Sequence, residues 1–415
     1  MRKQRGASLV ITLMVLTVLT ALVASYAATQ RVSARGVIRR NETILATRMA
    51  EAGIARALAE LSVQTTDVPA TVNDPWAQLG QLGSERFIVG EGSFRLEIID
   101  AGAFVNLNTA NQEQLLRLPL TTEQVDSLLD WKEADVGPRP EGAKDEYYTQ
   151  LENPYITAMR PLLSFDELLL IKGFDPATLY DPPAEDQPNP NYVPGTGDLQ
   201  LSLYQLCTVE SQAPATGING INRTNINNVG VQQMVQIGIP QPTAQAIVNR
   251  RNNVGTFTRF GEVFEIPGVS LEIAGLILDN FVVGGTDVET GKININTAEE
   301  SVLTSVPGIT TDIAQGIISR QSVGYQALSE ITTVPGIDIQ VLQQAADYFT
   351  IASRMFMVRV IGQSGQTTVS MQAIIVLEDD GPRIVKRIMP PFQDMRNYWR
   401  WETEPTADVI VWEKQ

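Results

Sequence analysis

The sequence predicts an α+β protein: one long N-terminal helix on an antiparallel sheet, with a large, mostly helical insertion interrupting that sheet. Three observations predict it. An uncharged stretch from Ala7 to Gln30 runs into an amphipathic helical pattern. β-type segments lie on both sides of a long helical region. Within that region the phrase Asn106-Leu107-Asn108-Thr109-Ala110 returns as Asn294-Ile295-Asn296-Thr297-Ala298, with a degraded copy at Asn225-Ile226-Asn227-Asn228-Val229. Self-similarity on this scale marks supersecondary blocks that must stack on their neighbours.

The N-terminal element reads as residues 1–6 followed by a helix over 7–64. Met1-Arg2-Lys3-Gln4-Arg5-Gly6 is basic and short, and the 24 residues after it carry no charge. At about 1.5 Å per residue such a helix crosses the roughly 30 Å hydrocarbon core of a bilayer. Arg2, Lys3 and Arg5 place the short flank in the cytoplasm and the remainder outside. An ordinary secretory signal would instead be cut beside Ala24, Ala27 or Ala28. The helical pattern continues, however, through Ala50-Glu51-Ala52-Gly53-Ile54, with Ile54, Leu58 and Leu61 on one face.

A linker from Thr65 to Pro75 ends the helix. Arg86–Val89 and Ser93–Ile98, joined by Gly90-Glu91-Gly92, read as a hairpin, giving a first sheet segment over 84–104. A second segment, 351–390, contains Met355–Val360 and Thr367–Leu377 around Gly362-Gln363-Ser364-Gly365, with a further strand at Arg383–Ile388. A lone hairpin is marginal in water, so the two segments are expected to form one sheet around the insertion, 105–350, rather than separate domains. Residues 391–415 form a tail rich in aromatics: Tyr398-Trp399-Arg400-Trp401, then Trp412. Packing back on the domain accounts for them, as docking to a partner would.

The insertion divides into units of about 105–180, 222–283 and 292–350. In each, the Asn-x-Asn phrase is expected to cap the helix that follows. Copies two and three then share Ile237-Gly238-Ile239 with Val306-Pro307-Gly308-Ile309, and Ile266-Pro267-Gly268-Val269 with Val334-Pro335-Gly336-Ile337. This is the helix-hairpin-helix pattern. Such hairpins often aim turn amides and cations at DNA phosphates, and Arg250, Arg251 and Arg259 of copy two are the candidates. Copy three offers only Arg320, and copy one has Asp126, Asp130, Glu133 and Asp135 in the equivalent neighbourhood. With no basic face shared by the copies, a packing or partner-docking role is the stronger reading.

Composition narrows the chemistry further. The 415 residues carry a formal charge of -16, which argues against wholesale binding to phosphate backbones. Histidine is absent, so no Ser-His-Asp, Cys-His or histidine metal site exists. Cys207 is the only cysteine, which precludes an intramolecular disulfide and reads as a buried small hydrophobe. Asp130, Glu133, Asp135, Asp145 and Glu146 cluster hard oxygen ligands of the kind calcium takes. Their spacing matches no EF-hand loop, and a solvated acidic loop explains them equally.

The short basic leader ending in Gly, the apolar helix and its amphipathic continuation resemble the type IV pilin-like proteins. That resemblance implies cleavage by a prepilin peptidase after Gly6, leaving Ala7 as a methylated N-terminus. It also implies a glutamate at the fifth mature position, where this chain has Ile11. Copy one carries Leu128-Leu129-Asp130-Trp131, Glu141–Tyr148, Asn153-Pro154-Tyr155 and Phe165–Phe174, and Leu206–Ser211 leads into copy two. These phrases, in this order, resemble the K-type minor pseudopilins of the type II secretion system. The resemblance runs from Met1 to about Pro390 and also fits Ile11. It departs at the third unit and at Lys132-Glu133, where an apolar residue and an aspartate are usual.

That resemblance implies a non-catalytic subunit at the tip of a periplasmic pseudopilus, anchored by one pass through the inner membrane. Its implied partners are other minor pseudopilins, the major pseudopilin, the prepilin peptidase and the inner-membrane assembly platform. It also implies calcium in the helical lobe of some members. The alternative function is a membrane-anchored DNA receptor of a competence or pilus system.

Overall fold

The chain opens on α1 (Lys3–Leu61), a helix of 59 residues with no proline. The structure is a computed structural model and describes residues 3–134, 137–183, 192, 200–215, 223–284 and 287–412. The two parts of α1 differ in what they touch. Residues 9–41 are exposed, whereas Ala46, Ala50, Ile54, Ala57 and Leu61 are buried, at spacings of three and four. That spacing is one helical face, and the small residues on it let the helix lie close to a sheet.

The sheet has six strands: β1 (Glu85–Val89), β2 (Gly92–Asp100), β3 (Met355–Ser364), β4 (Thr367–Glu378), β5 (Gly381–Ile388) and β6 (Ala407–Trp412). Their order is β5-β4-β3-β2-β1-β6. β2 and β3 pair antiparallel from Gly92↔Ser364 to Asp100↔Phe356, so the whole helical region leaves and re-enters between adjacent strands. Side chains alternate across the sheet as its pleat requires. Leu96, Ile98, Val358, Val360, Ala373 and Ile375 face α1. Trp76, in the short helix Pro75–Gln78 that follows the linker, closes one end of this layer with its ring 4.9 Å from Phe356.

The opposite face carries Arg95, Glu97 and Arg359, and it is covered by the tail and by Tyr204 of the insertion. Trp399 and Trp401 are buried there, while Trp412 is exposed. The tail therefore packs back on the domain. It also goes further than its aromatic content suggests, because Ala407–Trp412 becomes β6, the one strand of this six-stranded sheet that runs parallel to its neighbour. A run of β-branched residues, Val409-Ile410-Val411, supplies the β preference.

The helical region holds one continuous core, from Val105 to Ile351. Each copy of the repeat contributes two helical hairpins. In copy two the segments are Val231–Gln236, Gln241–Val254, Phe260–Phe264 and Leu271–Asn280; in copy three they are Glu300–Leu303, Thr311–Gln321, Leu328–Thr333 and Ile339–Ala345. Copy one follows the same order with Gln112–Leu115, Thr122–Lys132, Phe165–Leu170 and Pro176–Tyr180. It differs by a long excursion, residues 133–164, between its second and third segments. Gly268 and Gly336 turn their hairpins at φ 94° and 89°, a region that favours glycine.

Copy three joins the two bodies. Asn294 donates to the Ala70 carbonyl at 2.9 Å and to the Asp100 carboxylate at 2.6 Å, and Thr297 donates to the same carboxylate at 2.8 Å. The third repeat is thus tied to the end of β2, while Tyr204, Leu163 and Glu210 make further contacts between the insertion and the sheet.

Candidate functional site

The apolar N-terminal helix and the repeats are the two candidate functional features. Among the described residues, one helix is long and apolar enough to cross a membrane, and it is the exposed part of α1. Ile11 lies on it, 62% exposed. Gly6 and Ala7 fall in its first turns.

The Asn-x-Asn phrases do not cap helices. The following helices are capped by Asn111, Gly230 and Glu299 instead. Each phrase is a clasp. Its first Asn accepts a bond from the backbone N–H two residues on: Asn108 N to Asn106, Asn227 N to Asn225, Asn296 N to Asn294, all at 2.9–3.0 Å. Its second Asn reaches across the block. Asn108 pairs with both backbone groups of Leu162 and donates to Val209 O. Asn227 does the same with Phe257 and Val283, and Asn296 with Tyr325 and Ile351. A buried primary amide can satisfy one N–H and two carbonyls at once, which a capping hydroxyl cannot.

The same three-fold correspondence explains the arginines. Arg251 donates to Ile226 O and Val229 O, both at 2.9 Å. Gln321 donates to the equivalent Ile295 O and Ala298 O, and Lys132 to Leu107 O at 2.5 Å. One residue earlier, Arg250 pairs with Glu262 at 3.0 Å, Arg320 with Glu330, and Trp131 with Glu167 at 3.1 Å. Arg250 and Arg251 are therefore internal struts, and of the three DNA candidates only Arg259 is exposed. Lys132, the departure noted in the sequence, is copy one's strut; burial pushes its ammonium down to about 8. Sequence reasoning missed these roles, although aligning Trp131-Lys132, Arg250-Arg251 and Arg320-Gln321 would have exposed them.

A direct test separates strut from phosphate contact. Arg251→Ala is expected to lose about 1–3 kcal/mol of stability, because two buried carbonyls lose their donor. Arg251→Gln should retain most of it, since Gln321 already serves both carbonyls in copy three. Denaturant melts of the two variants would show the difference. Equal losses would exclude the strut role.

The acidic segment is dispersed. Asp130 is fully buried and bound by Arg139, whose guanidinium also reaches Glu133, each at 2.7 Å. Asp145 accepts from the Thr157 amide and hydroxyl at 2.8 and 2.6 Å, which holds its carboxyl below the usual range. Glu146 is exposed, and Asp135 lies outside the described residues. Among the described residues, no three His, Cys, Asp or Glu side chains are grouped to share an ion. Calcium takes six to eight oxygens. The described candidates, as placed, do not gather round one ion.

Buried charge gathers instead under the sheet. Burial pushes the Glu97 and Asp100 carboxyls up, opposed at Glu97 by Arg359 and Trp401 and at Asp100 by Ser353, Asn294, Gly102 and Thr297. Arg359 lies 3.5 Å from Glu97 among the rings of Phe104, Tyr204 and Trp399. Glu97, Asp100, Phe104, Arg359 and Trp399 line a cavity of about 520 Å³ between sheet, tail and copy three. Burial also raises the Cys207 thiol, so that cysteine is the inert small hydrophobe expected of it.

A long anchor helix packed on an antiparallel-rich sheet, with helix-hairpin-helix blocks inserted between adjacent strands, defines a pilin-like subunit carrying a helical lobe. Comparison with known proteins shows what the chain is similar to. The family described as type II secretion system (T2SS), protein K, matches residues 106–181, and the helix-hairpin-helix motif matches residues 288–350. Over 205 residues the chain is 31% identical to the type II secretion system protein K of Klebsiella pneumoniae, an alignment covering 43% of this chain and 60% of that one. The chain therefore spans about three-fifths of the curated relative it matches. In the GspK-GspI-GspJ complex of enterotoxigenic Escherichia coli, the matching chain is 14% identical with a TM-score of 0.42, covering 87% of this chain and 100% of that one. The resemblance to K-type minor pseudopilins is borne out, with the protein K match falling on copy one.

Proposed function

We propose that this chain is a minor pseudopilin at the tip of the type II secretion pseudopilus, where it helps start fibre assembly and so supports export across the outer membrane. The observation that carries the reading is the division of α1. Its exposed apolar part is bare, while its last turns are fixed to a sheet that bears three stacked helical units. The bare part spans the inner membrane, N-terminus in the cytoplasm and bulk in the periplasm, until the fibre withdraws it. There it packs among the helices of other minor pseudopilins and the major pseudopilin, on the inner-membrane assembly platform. Ile11 offers no carboxylate to the amine of a subunit above, and the helical bulk is too wide for a repeating position. Both properties suit a subunit with nothing above it. The subunit is non-catalytic, in keeping with a chain without histidine whose one thiol is buried.

Mass spectrometry of the chain recovered from cells tests the first step. The expected product begins at methylated Ala7, after prepilin peptidase cleavage behind Gly6. A chain beginning near Ala28, or still at Met1, would end the proposal. Co-purification with other minor pseudopilins tests the second step. Salt-sensitive DNA binding lost on replacing Arg259 would favour the DNA-receptor alternative instead.

A further inference from the structure

Copy one differs from its sisters by the excursion over residues 133–164, and the root of that excursion is unusually rich in oxygen. The C-terminal end of the helix Thr122–Lys132 presents the carbonyls of Asp130 and Glu133 together with the side chains of both. Helix C-termini carry partial negative charge, and the Asp130 carboxylate adds a full one with no exposure to water. A buried concentration of oxygens of this kind needs positive charge to be stable.

Two side chains of the excursion supply it. The Arg139 guanidinium bridges Asp130 and Glu133 at 2.7 Å each, and its own amide donates to the other Asp130 oxygen at 2.9 Å. From the opposite side the Lys144 ammonium, itself buried, donates to Asp130 O at 2.7 Å and Glu133 O at 2.5 Å. Gly142 lets the chain close over the pair. A Cβ there would stand 1.9 Å from Asp130 Oδ2.

We propose that the first helical unit is closed by its own cations: the Arg139 guanidinium and Lys144 ammonium do the work a bound divalent metal would do, and the unit folds without calcium. Two organic cations divide between them the oxygens that one metal would have to gather. Among the described residues the donor set leaves no shared vacancy, because each cation is tethered and already carries its hydrogen bonds. This inference concerns one unit of the chain and stands independently of the pseudopilin reading.

The test uses the full chain, purified in detergent without chelator. Metal analysis after gel filtration should find well under one calcium per chain, and the thermal midpoint should be unchanged by EGTA or by added calcium. R139Q should lower the midpoint by several degrees in a calcium-independent manner. D130N/R139Q should recover part of that loss, because the buried carboxylate left without its partner has then been removed. One calcium per chain that survives gel filtration, or a midpoint that falls with EGTA, would overturn the proposal. So would an R139Q chain as stable as the unsubstituted one. Should R139Q fail to fold, the metal content and EGTA response of the unsubstituted chain decide the question alone.

Discussion

Gly362→Val is expected to detach the N-terminal helix from the sheet. Gly362 sits in β3 where α1 crosses it, and a Cβ there would stand 2.0 Å from the Ala46 carbonyl and 2.5 Å from the Ala50 amide. Both are backbone atoms, so no rotamer relieves the contact. Overpacking a core costs about 1–3 kcal/mol when side chains can adjust. Here two regular elements must separate, and the loss should reach or exceed the top of that range. The readout is Trp76, which is buried beside α1 and the sheet and should report premature exposure in a denaturant melt. Proteolysis within Ser62–Pro69 should accelerate in parallel. A single co-operative transition within about 1 kcal/mol of the parent would show that α1 does not depend on this crossing. The consequence is specific: the N-terminal helix and the helical lobes would remain in one chain but lose their fixed geometry.

Asn296→Ala should be the most damaging change within the repeats. The side chain is fully buried and serves Tyr325 N at 2.6 Å, Tyr325 O at 3.1 Å and Ile351 O at 3.4 Å. Its loss orphans these three groups, at about 1–3 kcal/mol for each group left unsatisfied, so a total of about 3 kcal/mol or more is expected. Asn227→Ala removes the same set of contacts from copy two, where the Asn is less buried, and should cost less. Ranking the three Asn→Ala variants by denaturation midpoint checks the clasp. If Asn296→Ala proved no worse than a surface substitution, the phrase would have to be a relic without a structural role. The third copy is the sensitive one for a further reason. Its Asn294 and Thr297 also hold Asp100 at the end of β2, so slackening there reaches the sheet.

Much of this architecture was legible in the sequence, because it rests on periodicity and repetition. The uncharged run, the spacing of Ile54 and Leu61, and the alternation in Met355–Val360 each encode one face of one element. The recurrence of Asn-x-Asn encodes the units. What escaped was partnership over long distances. Nothing near Arg139 announces that it will meet Asp130, because the loop that brings them together depends on Gly142. A cluster of acids reads as a metal site when its counter-ions are invisible. The Asn phrases were misread for a related reason: Asn is a good cap locally, and only the closed block reveals Leu162, Phe257 and Tyr325 as its true partners. Arg250 and Arg251 look like a basic patch until the fold gives both partners within copy two. β6 was hidden because its partner β1 lies 322 residues away along the chain.

The short parallel pairs that bracket the units, Val105-Asn106 beside Cys207-Thr208, Thr224-Asn225 beside Phe281-Val282 and Ile293-Asn294 beside Phe349-Thr350, have a consequence for how this chain could have lengthened. Each unit starts and finishes on neighbouring strands, about 5 Å apart. A segment whose two ends nearly coincide can be duplicated in tandem, or lost, with little disturbance to the chain on either side. The host sheet treats the entire insertion in the same way, since it departs after Asp100 and returns beside Phe356. An ancestor with fewer units would have needed no new topology to acquire another, only a copy error and a surface for it to lie against.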